Sequence, residues 1–187
     1  MKTKHIYLLL SLITIILFAC GPETKEERLN SYIEDGDNAK NKSVYTDAVE
    51  FNDAIVGLET KISIEILKLY TIEDLEEKRK QVSVMQQEIA SVTDILQNIS
   101  CVKDKNNKFK NATISLFNLY DSWADALSSF LDELDNENID DISDYNETIS
   151  ETLNDKLYNV SELEFELEPV GNSWISAQED FSKEAGF

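Results

Sequence analysis

The sequence predicts an all-α protein, an up-down four-helix bundle with a short fifth helix at its C-terminal end. Two observations lead there. Apolar residues recur at alternating steps of three and four along four long stretches, a spacing that collects them on one face of a helix with 3.6 residues per turn. Only five glycines and two prolines occur in 187 residues, so turns are few and helices are long.

The first stripe runs through Val44, Ala48, Phe51, Ile55, Leu58, Ile62, Ile66 and Leu69. Gly57, in its middle, leaves room for a neighbouring helix or side chain to approach closely. Thr71 with Asp74 reads as an acidic capping box that restarts a helix after a tight turn. The second stripe follows as Leu75, Arg79, Val82, Met85, Ile89, Val92, Leu96 and Ile99, with Arg79 out of character. A polar loop from Lys103 to Lys108 precedes a third, aromatic-rich stripe of Phe109, Thr113, Leu116, Tyr120, Trp123, Leu127, Phe130 and Leu134. A weaker fourth stripe joins Ile142, Tyr145, Ile149, Leu153, Leu157, Val160, Leu163 and Leu167. Pro169 and Gly171 are expected to break it. A short terminal helix from Ser173 to about Lys183 then places Trp174, Ala177 and Phe181 on one side.

Helices of about 27 residues are roughly 40 Å long at about 1.5 Å per residue. Short connections force neighbours to run antiparallel and to bury their stripes against one another. Strict heptads with complementary flanking charges are not sustained, which favours a compact bundle over a two-stranded coiled coil.

The first 42 residues have a different character. Lys2 and Lys4 precede an apolar run, Ile6 to Ala19, interrupted only by Ser11 and Thr14, the pattern of a secretory signal. About 14 apolar residues fall short of the roughly 20 needed to span the hydrocarbon of a bilayer. The run ends in Leu17, Phe18, Ala19 and Cys20. This resembles the lipobox of bacterial lipoproteins, although Phe18 stands where Ala, Ser or Thr is commoner. The resemblance implies a signal peptide over 1–19, cleavage before Cys20, and acylation of Cys20, whose lipid chains supply a membrane anchor at roughly 0.8 kcal/mol per buried methylene. Residues 20–42, rich in Glu, Lys, Asn and Asp, are expected to be the lipidated cysteine and a flexible tether, with Leu29, Tyr32 and Ile33 able to form one amphipathic turn. The bundle domain is expected over 43–187.

Composition excludes several chemistries. Loss of Lys2 and Lys4 with residues 1–19 takes the basic count from 17 to 15 against 37 acids, and the net charge from −20 to −22. Such a surface repels nucleic acid and anionic membrane faces and suits cationic partners or divalent ions. The single histidine, His5, lies in the signal, so the mature chain has no imidazole for nucleophile activation or for zinc or haem ligation. With Cys20 acylated, Cys101 has no partner for an intrachain disulfide and reads as a small buried apolar residue.

Each candidate site has a plainer alternative. Asp132, Glu133, Asp135, Glu137, Asp140, Asp141 and Asp144 offer the oxygen ligands calcium uses, yet the EF-hand order is absent there, as it is at Asp35, Gly36 and Asp37, so a solvated acidic loop is the favoured reading. Among so many acids, carboxylate pairs at glycosidase spacing arise by chance. Glu76 with Lys80, and Lys61 with Glu65, read as ion pairs along a helix. Tyr120, Trp123, Phe130 and Trp174 either line a ligand pocket or fill the core, and their helical spacing favours the core. Asn-x-Ser/Thr triplets at Asn41, Asn98, Asn111, Asn146 and Asn159 are compositional in a bacterial chain. No catalytic, metal or cofactor residue is assigned.

Beyond the lipobox, the spread of Tyr45, Phe51 and Ala54, of Phe117 and Tyr120, and of Trp174, Gln178, Phe181 and Gly186 is similar to that of small helical surface lipoproteins of Bacteroidetes and Leptospira. That likeness implies a fold and a location and supplies no site residues. The function expected is a non-enzymatic, envelope-anchored helical lipoprotein that presents a surface to a protein or matrix partner, with no cofactor. A binder of a small apolar or cationic ligand within the bundle is the alternative. Gly21 in place of the Asp that resembles an inner-membrane retention signal favours the outer membrane. Glu23, Glu26 and Glu27 resemble acidic surface-export signals.

Overall fold

A computed structural model describes residues 25–137, 139 and 150–187. Signal residues 1–19, Cys20, residues 21–24 and most of the acidic stretch beyond Glu137, with Ile142, Tyr145, Asn146 and Ile149, lie outside the described residues. The expected all-α bundle forms. Its helices are α1 (Lys25–Ala39), α2 (Ala48–Thr71), α3 (Leu75–Asn98), α4 (Lys108–Asn136) and α5 (Glu151–Ala185). Helices α2 to α5 alternate in direction, and α1 folds back along α2.

Each start has a local cause. Asp47 caps α2 by accepting from the Val49 and Glu50 amides at 2.8 and 3.2 Å. Asp74 caps α3 by accepting from the Glu77 amide at 2.8 Å, so Asp74 is itself the cap where Thr71 was expected to be; the Thr71 hydroxyl instead donates back to the Lys68 carbonyl. Ser150 caps α5 by accepting from the Leu153 amide. Each such cap contributes about 1 kcal/mol.

At one end, here the bridge end, two loops are stitched together. Val44–Tyr45 (β1) and Ser100–Cys101 (β2) form a two-residue parallel ladder, with Val44 opposite Ser100 and Tyr45 opposite Cys101. Above it, Phe51, Phe109, Trp174 and Phe181 meet, with the Phe109 and Phe181 rings stacked 5.4 Å apart. Cys101 is a buried free thiol here.

Helix α2 is the axis of the molecule. Ala54 to Thr60 are all buried, so this stretch is enclosed on every side. Part of that enclosure is α1, the stretch expected to be slack tether. Tyr32 packs on the core, and Gly36 and Ala39 are buried. The close approach expected at Gly57 is therefore real, and the neighbour is α1. A β-carbon on Gly57 would sit 2.2 Å from the Tyr32 carbonyl oxygen and 2.4 Å from the Gly36 nitrogen.

The expected break at Pro169 and Gly171 does not occur. The fourth stripe and the short terminal segment are one continuous helix, α5, with Pro169 inside it. Proline removes one intrahelical hydrogen bond, to the carbonyl four residues back. Here Pro169 and Phe165 are both exposed, so the proline sits on the solvent side of the helix. Meanwhile Leu153, Val160, Leu167, Gly171, Trp174 and Phe181 form one unbroken buried stripe against α4 and hold both halves in line.

Candidate functional site

The polar centre of the bundle lies where α2 faces α4. Glu59, halfway along α2, is fully buried. Its Oε1 accepts from the Ser63 hydroxyl, one turn further on, at 2.6 Å and from the Tyr120 hydroxyl of α4 at 3.2 Å. Its Oε2 has no hydrogen-bond partner. Two more buried polar atoms in this part of the molecule lack partners: Thr60 Oγ1, and Trp123 Nε1 one turn on from Tyr120.

Burial pushes the Glu59 carboxyl above its ordinary value, and the hydrogen bonds from Ser63 and Tyr120 pull less strongly the other way. No lysine or arginine contributes. Burial thereby favours the neutral acid over the carboxylate. Burial and the neighbouring Glu59 push the Tyr120 phenol well above its usual range. Glycosidase-type chemistry would need a second carboxyl and room for a sugar beside it, and Glu59 is packed among Ile55, Leu58 and Ile62 on its own helix, all fully buried.

Sequence reading passed over Glu59. The signal was present, because Glu59 lies four residues after Ile55 and three before Ile62, on the apolar face itself. Its place in Ala-Ile-Val-Gly-Leu-Glu-Thr, a run enclosed all round, is what makes it a core residue.

The expected candidates resolve as follows. Tyr120, Trp123, Phe130 and Trp174 are all core residues, 5% exposed or less. Trp174 Nε1 donates to Thr113 Oγ1 at 3.0 Å. The surface grooves described lie elsewhere. A shallow one of about 640 Å³ runs past Asn106, Lys108, Asn111, Ser173 and Asp180, and a smaller one lies between α3 and α4 beside Thr93 and Asn118. In the acidic stretch, Glu133 pairs with Lys156 at 2.9 Å, Asp135 with Arg79 at 3.4 Å, and Glu137 accepts from Ser150. Among the described residues no group of three or more His, Cys, Asp or Glu could hold a metal ion. Asp37 is paired with Lys61.

Arg79, the misfit of the second stripe, donates to the Leu131 carbonyl at 2.8 Å and so ties α3 to α4. Glu76 and Lys80 form the expected pair at 2.7 Å. Lys61 does not pair with Glu65; it bridges Asp37 of α1 and Glu88 of α3, each at 2.9 Å. The packed α1 puts a carboxylate within its reach. None of the described helices is long and apolar enough to cross a membrane. Comparison with protein-family models, with characterised proteins and with solved structures gives no match to this chain.

Proposed function

We propose that the chain is a non-enzymatic lipoprotein of the cell envelope, anchored through lipid on Cys20, whose helical bundle presents a surface to a protein or matrix partner. The observation that carries this reading is a conjunction. A lipobox-like Leu17–Cys20 closes an apolar run too short to span a bilayer, and the domain that follows buries Tyr120, Trp123, Phe130 and Trp174, the aromatic pocket candidates, in its core. Their burial supports recognition through the outer surface. That surface is strongly acidic, which favours cationic partners and opposes nucleic acid. Gly21 favours the outer membrane, facing either the periplasm or the exterior.

One observation favours the second reading, a small cationic ligand held inside the bundle: Glu59 Oε2 is a buried oxygen with no partner. The tight packing around it argues against that reading.

Binding assays with the purified bundle, residues 25–187, separate the two. Saturable capture of a protein or matrix component, with wild-type affinity in Glu59→Gln, is the expected result. Saturable binding of a small cation that is lost in Glu59→Gln, with no macromolecular partner, would overturn the leading reading. Protease treatment of intact cells reports orientation, with cleavage expected for a surface-exposed bundle and resistance for a periplasmic one.

A further inference from the structure

The contact between α1 and α2 bears on how the bundle sits on the membrane. A β-carbon on Gly36 would lie 2.7 Å from the Gly57 carbonyl carbon and 2.9 Å from its oxygen. The two backbones touch, and only hydrogen fits between them on either side. Lys61 adds a charged clasp, reaching Asp37 of α1 and Glu88 of α3. Helix α1 is thus packed on the folded body through its C-terminal half, from Tyr32 to Ala39, and the helix continues from there back to Lys25.

That shortens the free chain. Four residues, 21–24, separate Cys20 from Lys25, and extended chain covers at most about 3.5 Å per residue, or roughly 14 Å. A slack tether over 21–42 would reach about 75 Å when extended and average about 25 Å. Direction follows from the fold. Ala39 leads through β1 into the bridge end, so the first turn of α1 lies about 22 Å away along α2, toward the opposite end, where α2 turns into α3 at Ile72–Asp74.

We infer that the short leash from Cys20 to α1 holds the Ile72–Asp74 end of the bundle against the lipid surface and stands the bridge end, with Val102 and Phe187, away from it as the presented face. This rests on the lipidation of Cys20 proposed above. The described residues around the membrane-facing turn mix the acids Glu73, Asp74, Glu76 and Glu77 with Lys68, Lys78 and Lys80, so they form no basic patch for anionic headgroups. The hold is therefore covalent and insensitive to salt.

The test uses full-length lipidated protein, with Cys101→Ala removing the buried thiol, in phosphatidylcholine vesicles that carry an acceptor dye on the headgroups. A donor dye is placed on Glu73→Cys or Val102→Cys, both exposed positions. Energy transfer should be strong at position 73 and weak at 102, in keeping with the roughly 36 Å length of α2, at low and high salt alike. A flexible Gly/Ser insertion after Glu23 should abolish the difference. Vesicle flotation with equal transfer at both positions overturns the inference alone. Failure to float removes the anchor, and the inference with it.

Discussion

The bridge end and the middle of the bundle both bury polar groups, and they treat them in opposite ways. At the bridge end, Asp104 is 6% exposed, and its two oxygens accept from the Phe109 and Lys110 amides at 3.1 and 3.0 Å, one donor for each oxygen. The Lys110 ammonium donates to the Gln97 and Ile99 carbonyls at 2.8 and 2.7 Å and so closes the last turn of α3. Trp174 has Thr113. In the middle, Glu59 crowds two donors on one oxygen and leaves the other bare, while Trp123 finds no acceptor. Backbone amides at a helix start come in sets aimed one way, and a short side chain can satisfy itself among them. Mid-helix there are no spare backbone groups, so a buried carboxyl depends on whatever side chains face it. The bridge end is built to hold, and the centre carries an unevenly satisfied carboxyl.

The contrast breaks first at the aromatic cluster of the bridge end. Trp174→Ala should cost about 3–5 kcal/mol, the usual range for emptying a large aromatic site, with little dependence on pH because no titratable group is left bare. Urea unfolding at two pH values measures this, and a loss under 1 kcal/mol would mean that the aromatic cluster does not anchor α5.

Glu59→Gln should act in the other direction. The folded chain holds the Glu59 proton to higher pH than the unfolded chain does, because burial disfavours the charge. The resulting stability is complete below the ordinary value near 4.5 and is lost as pH rises through the raised folded value. The neutral amide cannot suffer that loss. We expect Glu59→Gln to be more stable than wild type by about 1–3 kcal/mol above neutrality, with the gap closing in acid. Asp35, Asp53 and Asp121 are also raised, chiefly by burial, and share this sign. The difference between wild type and variant isolates Glu59 from them. A gap that is constant with pH would show that Glu59 does not titrate differently in the fold.

Asp104→Ala, which strips the two amides at the start of α4, should cost about 1–2 kcal/mol, and Asp104→Asn should recover part of it. Equal losses for both would point to packing in place of capping. Tyr120→Phe should have the smallest effect, about 1 kcal/mol, and should raise the Glu59 carboxyl further by removing a donor. The loss of stability with rising pH should then extend to higher pH, as followed by thermal melts across the range.

Much of this was legible in the sequence, and the exceptions share a cause. The four stripes placed α2, α3 and α4 to within a few residues, because long 3.6-residue periodicity in an apolar face is dictated by burial. Gly57 correctly announced a close neighbour. The identity of that neighbour was hidden, since α1 packs through Tyr32, Gly36 and Ala39 within an otherwise polar stretch, and its closest contact buries backbone. Pro169 misled in the other direction. Its local cost is real, but Val160, Leu163, Leu167, Val170, Trp174, Ala177 and Phe181 continue the stripe at steps of three and four straight through it, and tertiary packing prevailed. Glu59 was missed because a glutamate among thirty-seven acids draws no notice until its helix is seen to be enclosed.

The claim on which the functional reading depends is the fate of Cys20. Mass spectrometry of the N-terminal peptide of protein purified from native membranes measures it directly. We predict a chain that begins at Cys20 and carries acyl groups on that residue, with a Cys20→Ala variant no longer processed or retained by membranes. An N-terminal peptide that keeps Ala19, or a Cys20 with a free thiol, would contradict it.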